Sequence, residues 1–162
     1  MSNQHRMPQL SFLTPLGALT LSEEDEAIVA LDWGRGRDQA ETPLLLAARD
    51  QIQDYFDGHR TSFDLPLAPF GSAFQQQVWA ALQAIPAGET RSYGDIARQL
   101  GSVPRAVGQA NGANPIPILI PCHRVVGSNG ALGGYSGGEG LVTKRYLLDL
   151  ERRARRQQGT LL

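Results

Sequence analysis

Asn114-Pro-Ile-Pro-Ile-Leu-Ile-Pro-Cys-His-Arg-Val-Val126 is the stretch from which the rest of the chain is read. It carries Cys122, the single cysteine of the sequence, with His123 directly after it. Pro115, Pro117 and Pro121 each remove a backbone donor and push the preceding residue toward extended geometry. Residues 114–121 are therefore expected as a rigid extended arm, not a helix. One thiol cannot close an intramolecular disulfide, and a Cys-His pair at the end of such an arm has the make-up of a placed nucleophile. A lone cysteine is also at home as a small buried hydrophobe, so the local residues leave both readings open. Adjacent side chains on a regular element point apart. His123 is thus expected to reach Cys122 through a water, or after a backbone turn at residues 121–123. A base working in this way needs a third group to hold its tautomer, so an acid is expected elsewhere in the chain.

Composition bounds what surrounds that stretch. The chain has 162 residues, 41% of them hydrophobic and 19% charged, which suits one globular domain or two small ones. No apolar run approaches the roughly 18 residues of a membrane span, and Met1 to Pro8 has no signal-like apolar core. A cytoplasmic location is expected, where a working thiol stays reduced. The formal net charge of −1 conceals an uneven distribution: residues 1–90 are acidic overall, whereas residues 91–162 are basic. Lys144 is the only lysine, so the basic half is almost entirely arginine, a side chain suited to phosphate. The tail Arg152-Arg-Ala-Arg-Arg156 reads equally well as a solvated basic face.

Upstream, strands are expected over residues 9–14, 16–21 and 27–33, with an acidic turn over 22–26 and a breaker at Gly34-Arg-Gly36. Thr42 as cap and Pro43 at the first position open a helix through Phe56, closed by Gly58. Residues 59–69, polar and rich in proline, are expected as a linker between an N-terminal sheet-and-helix domain (1–69) and a C-terminal domain (70–162). There, Ser72 and Gln75 form a capping-box pattern ahead of a helix to Ile85. Ser92 caps a short helix ending at Leu100-Gly101, and another runs from Arg105 to about Asn111. Two short helices around a glycine turn have the outline of a helix-turn-helix, or equally of a plain helical corner. The glycine-rich residues 133–140 lack the endings of a nucleotide-binding loop and are read as backbone that can approach a flat substrate closely. Leu141 to Arg156 is expected as a helix with Tyr146, Leu147 and Leu150 toward the core and Glu151 as a candidate for the missing acid. The fold class is α+β: a small antiparallel sheet with a helix, then a mainly helical domain.

Arg105-Ala-Val-Gly108, Asn114-Pro115, Pro-Ile-Leu-Ile-Pro-Cys-His-Arg-Val over 117–125 and Tyr135-Ser-Gly-Gly138 together resemble the 6-O-alkylguanine-DNA alkyltransferases. The resemblance spans roughly residues 71–151, and Pro-Cys-His-Arg is its most specific part. It implies a helix-turn-helix in the minor groove of duplex DNA, with Arg105 entering the base stack while the damaged guanine is flipped out. Ala106, Gly108, Ser92, Tyr93 and Arg124 are the other implied DNA contacts. Cys122 is the implied alkyl acceptor, His123 takes its proton through water, and Glu151 orients the histidine. Tyr93 also helps guanine leave, and Asn114 is the hinge. Tyr135, Ser136 and Val125 line the implied pocket.

Gln109 stands where the family commonly has a small residue, and Glu139-Gly140 lengthens the loop, so pocket width is open. Some family members carry zinc on N-terminal cysteines, which this chain lacks, so neither a metal nor a cofactor is expected. No membrane and no obligate protein partner is implied. The rival readings are a protein that flags alkylated bases without removing the alkyl group, a transcription regulator using the helix-turn-helix alone, and a cysteine hydrolase.

Overall fold

The computed structural model describes residues 7–135 and 137–160, arranged as two compact units, Met1–Phe70 and Gly71–Leu162. In the first, β1 (Gln9–Thr14), β2 (Gly17–Glu24) and β3 (Ala27–Trp33) form an antiparallel sheet in the order β1-β2-β3. Leu10 and Phe12 on β1 and Leu19 and Leu21 on β2 are buried, as period-two alternation requires. The residues between them, Ser11, Thr20 and Ser22, are buried as well. For Ser11 and Thr20 the chain after β3 supplies the reason, because it crosses the other face of the sheet and uses their hydroxyls. Thr20 Oγ1 donates to the Gly34 carbonyl at 2.7 Å, and the Gly36 amide donates to Ser11 Oγ at 2.9 Å. A Cβ on Gly36 would lie 2.7 Å from Thr20 Cγ2, so this close crossing requires glycine.

The acidic turn is shorter than expected. Only Asp25 and Glu26 leave the ladder, with φ of 50° and 62°, while Ser22 and Glu23 stay in β2 with a register shift between them. Ser22 is retained because it is buried and accepts from Gln9 Nε2 at 3.1 Å. Helix α1 (Pro43–Phe56) begins as expected: Thr42 Oγ1 accepts from the Leu45 amide. Leu45, Ala48, Ile52, Tyr55 and Phe56 form its buried face. The expected linker departs from its description at its end. Leu67 bridges Ile28 in parallel, with the Ile28 amide on the Pro66 carbonyl at 2.9 Å and the Ala68 amide on the Ile28 carbonyl at 2.8 Å. The outer edge of β3 offered unpaired backbone groups, and residues 66–68 take them up.

The second unit starts with α2 (Ala73–Gln83), closed at its N-terminus by the reciprocal Ser72–Gln75 capping box. Strand β4 (Arg91–Ser92) leads directly into α3 (Tyr93–Leu100), where Ser92 and Asp95 form a second capping box and Gly101 ends the helix at φ 66°. Helix α4 (Pro104–Gly112) follows after three residues and packs on α2, with Trp79 Nε1 donating to the Ala110 carbonyl at 2.9 Å. A single 3-10 turn (Cys122–Arg124) passes into β5 (Val125–Val126), which pairs in parallel with β4. Helix α5 (Leu141–Thr160) closes the unit. The fold class is α+β, as the sequence implied. Among the described residues of α5, Thr143, Lys144, Leu147, Leu148, Leu150, Glu151 and Ala154 are buried; Leu147 and Leu150 face the core as expected, whereas Tyr146 is only half-buried. Tyr146 lies two positions after Lys144, about 200° around the helix, at the margin of the buried face.

Candidate active site

The segment carrying the thiol is folded back on itself, which corrects the expected extended arm. Pro117 bridges Ile120, the Ile120 amide donates to the Ile116 carbonyl at 2.9 Å, and Ile118 sits at φ 73°. Proline forbids helix here but does not forbid a tight turn, and a β-branched residue in the left-handed region needs outside support. Asn114 supplies it: its Oδ1 accepts from the Ile116 amide at 2.9 Å and its Nδ2 donates to the Ile120 carbonyl at 2.8 Å. The same side chain hydrogen-bonds the Cys122 sulfur. The chain then turns again, with the Cys122 amide on the Ile120 carbonyl and the Arg124 amide on the Pro121 carbonyl.

This second turn drives His123 inward, where it is 0% exposed. Its Nε2 lies 2.6 Å from Glu151 Oε2. A carboxylate there makes Nε2 the protonated nitrogen and leaves Nδ1 with its lone pair, and Nδ1 is buried without a hydrogen-bond partner among the described residues. Glu151 is 1% exposed, although a glutamate on a helix is ordinarily solvated. Burial alone would raise its carboxyl, yet His123 and Arg124 hold it down to about 2.

Arg124 requires a correction. Its implied place on DNA is incompatible with its position: it is 6% exposed, with Nε on Glu151 Oε1 and Nη2 on Glu151 Oε2, each at 2.9 Å, and Nη1 on the Ile85 carbonyl at 2.6 Å. All three of its nitrogens are engaged inside the unit, where it keeps Glu151 ionised.

Burial pushes the Cys122 thiol up from its ordinary value, while the Asn114 side chain, its own amide and the charge of Lys144 pull the other way. The β4–β5 pairing, Arg91 with Val125 and Ser92 with Val126, sets the start of α3 beside the cysteine turn and so delivers Tyr93. The Tyr93 hydroxyl is raised by burial and by Cys122, and it accepts from the Gly134 amide. Tyr135 is raised further, by burial first and then by Cys122 and Glu151. Both phenols therefore remain protonated donors at neutral pH. Val125 has a fully buried side chain, so what it can offer a pocket is its backbone. Ser136 lies outside the described residues.

Arg105 is exposed in the first turn of α4, with Ala106 and Gly108 half-buried on the same short helix. A side chain at 108 would meet the Tyr93 ring at 3.9 Å. Ser92 Oγ is occupied in capping α3.

Two residues of the site were not singled out by sequence. Lys144 is buried, with Nζ on the carbonyls of Val125, Leu132 and Gly134. Asn111 is buried, with Nδ2 on the Cys122 carbonyl at 3.3 Å. Helical spacing was the available signal, since Lys144 lies seven residues before Glu151 and Asn111 four after the apolar Val107. Among the described residues there is no group of three or more His, Cys, Asp or Glu that would hold a metal ion, and no helix long and apolar enough to cross a membrane.

Residues 73–153 match the family model described as 6-O-methylguanine DNA methyltransferase, DNA binding domain, and residues 11–69 match its ribonuclease-like domain. The constitutive methylated-DNA-protein-cysteine methyltransferase of Bacillus subtilis is 48% identical over 152 residues, covering 86% of this chain and 92% of that protein. The methyltransferase of Mycolicibacterium paratuberculosis is 49% identical, covering 86% and 89%. Among solved structures, Mycobacterium tuberculosis OGT in complex with DNA is similar with a TM-score of 0.81 and 45% identity, over 90% of this chain and 93% of that one.

Proposed function

The chain belongs to the methylated-DNA-protein-cysteine methyltransferases, and from this premise we propose that it repairs alkylated guanine in duplex DNA by moving the alkyl group from O6 to its own Cys122. The observation that carries the assignment of the acceptor is the hydrogen bond from His123 Nε2 to Glu151 beside the only cysteine, which leaves Nδ1 as an unprotonated base. A water between Sγ and Nδ1 passes the thiol proton to His123, and Glu151 stabilises the imidazolium that results. The thiolate attacks the sp3 carbon in line. The S–C bond forms, the C–O6 bond breaks, and its electron pair leaves with guanine. Tyr93, kept protonated, is the donor that supplies the departing base with a proton at N3, and Asn114 is the hinge that holds the cysteine turn on α4.

The product is a thioether, which no side chain here can cleave, so each molecule acts once. The reaction balances without metal or cofactor. Duplex DNA is read from the minor groove by α3 and α4, with Arg105 filling the space of the extruded nucleotide. Flipping costs a few kcal/mol, which such an insertion and a pocket for the base offset. Ser92, Ala106 and Gly108 are the accompanying contacts, and Tyr135 and Val125 border the pocket. O4-alkylthymine is a further substrate of the same chemistry. No protein partner is required, and a thiol that must stay reduced suits the cytoplasm.

The test is the mass of the intact protein and of its Cys122 peptide after mixing with a duplex carrying 6-O-methylguanine. The expected result is a stoichiometric gain of one methylene unit on that peptide without turnover, and no gain in Cys122→Ser. An unchanged mass with the duplex still bound would make the protein a reader of lesions instead.

A further inference from the structure

Lys144 is the one lysine in a sequence whose other basic residues, histidine aside, are arginines, and it is among the largest fully buried side chains. Its ammonium donates to the carbonyls of Val125 at 2.7 Å, Leu132, and Gly134 at 3.3 Å. Three donors meet three acceptors, so the group is saturated by backbone alone. The first carbonyl belongs to β5, which follows the cysteine turn, and the other two belong to the loop returning toward α5. Gly133 stands at φ 70°, and the Gly134 amide meets the Tyr93 hydroxyl. A compact, tetrahedral ammonium fits such a convergent set of carbonyls, whereas a planar guanidinium does not.

The charge of this group has a second consequence. Burial pushes the Lys144 ammonium down to about 8, and the neighbouring Cys122 acts in the opposite sense. Of the influences that favour the Cys122 thiolate, namely the Asn114 side chain, the Cys122 amide and Lys144, only the last carries a formal charge. The other ionisable groups around the sulfur are committed elsewhere. His123 is bound to Glu151, Arg124 to Glu151 and the Ile85 carbonyl, and Tyr93 and Tyr135 stay neutral. We propose that Lys144 is a positioning residue of the site: it clasps the Leu132–Gly134 segment onto β5 and adds a positive charge that favours the Cys122 thiolate. The proposal rests on the reading of Cys122 as the acceptor, although its test does not need alkylated DNA.

The test compares Lys144→Met, Lys144→Gln and Lys144→Arg with the wild-type chain, using iodoacetamide as probe. The single cysteine makes the added mass unambiguous. Rates are followed from pH 6 to pH 10, alongside hydrogen exchange of the amides of residues 131–135 and thermal melts that establish folding. Met lacks charge and donors, Gln lacks the charge and keeps two N–H donors on a shorter stem, and Arg keeps the charge without the tetrahedral fit to the carbonyls. Met and Gln are expected to raise the pH midpoint by about one unit, which is about tenfold less thiolate near pH 7.5, while Arg, which keeps the charge, holds the midpoint near wild type but not the slow exchange of residues 131–135. Exchange at 131–135 is expected to accelerate most in Met. A folded Met or Gln variant with the wild-type pH profile overturns the charge role, and unchanged exchange in Met overturns the clasp. If Met does not fold, the pH midpoints of Gln and Arg decide the charge role, and exchange at 131–135 in Gln against wild type decides the clasp. A wild-type protein with this pH response that takes no methyl group from a 6-O-methylguanine duplex sinks the repair reading and leaves the role of Lys144 intact.

Discussion

Among the described residues the N-terminal unit buries the polar side chains of Ser11, Thr20 and Ser22, whereas the C-terminal unit buries Asn111, His123, Arg124, Thr143, Lys144 and Glu151. In the first set every group is a hydroxyl, and each is matched by a neighbour such as Ser11 Oγ with Thr20 Oγ1 at 2.8 Å. In the second set four groups are ionisable: His123 and Arg124 on the cysteine turn, and Lys144 and Glu151 on α5. A core that only has to fold gains nothing from buried charge, because desolvation costs several kcal/mol for each ion before pairing returns part of it. Charge retained inside one unit and absent from the other marks where stability has been traded for chemistry.

The largest expected effect comes from breaking the charged cluster at its centre. Glu151→Gln leaves Arg124 buried without its counter-ion and should destabilise the chain by about 3–5 kcal/mol in urea denaturation. A loss below about 1 kcal/mol would show that the cluster is not the energetic feature it resembles. Acid should have a related effect on the wild type. The Glu151 carboxyl has an ordinary value of 4.5 and is held down to about 2 in the fold. Its stabilising contribution is therefore complete above the ordinary value and lost as pH falls toward 2. A gap of that size is on the order of 3 kcal/mol. Urea midpoints measured between pH 5 and pH 2.5 should fall more steeply in wild type than in Glu151→Gln, and parallel curves would remove Glu151 as the cause.

Arg105 sharpens the contrast from outside, since it is a charge the same unit leaves in solvent. Arg105→Ala should leave stability within about 0.5 kcal/mol. It should slow repair of duplex DNA about tenfold, roughly 1.4 kcal/mol of barrier, with little change toward a free alkylated base. Equal slowing on both substrates would take Arg105 out of the extrusion step. The smallest effect is expected in the hydroxyl-lined unit. Thr20→Val removes the bonds to Ser11 and Gly34 and should cost about 1 kcal/mol without altering the rate of alkyl transfer. A change in that rate would break the division of labour drawn between the units.

Much of this was legible without coordinates. Strands β1 and β3, the Thr42 cap with Pro43, the Ser72–Gln75 box and the glycine end of α3 are decided by residues within a few positions of one another, and local chemistry speaks plainly at that range. The lone cysteine next to a histidine, and the need for an acid, also follow from sequence, because they concern what a thiol requires to react. The path of residues 114–121 did not follow. Three prolines exclude a helix but leave the choice between an extended arm and a turn to Asn114, whose side chain closes the turn on both sides.

The fate of the buried charges was likewise decided only by tertiary structure. An arginine just after a proline-punctuated segment and a lone lysine on a helix look like surface residues in a linear chain. Their burial depends on partners 27 and 19 residues away, Glu151 for Arg124 and the Val125 carbonyl for Lys144. A charge is affordable inside a protein only where folding brings its counterpart within hydrogen-bonding distance, and that meeting is a property of the packed chain, not of either residue.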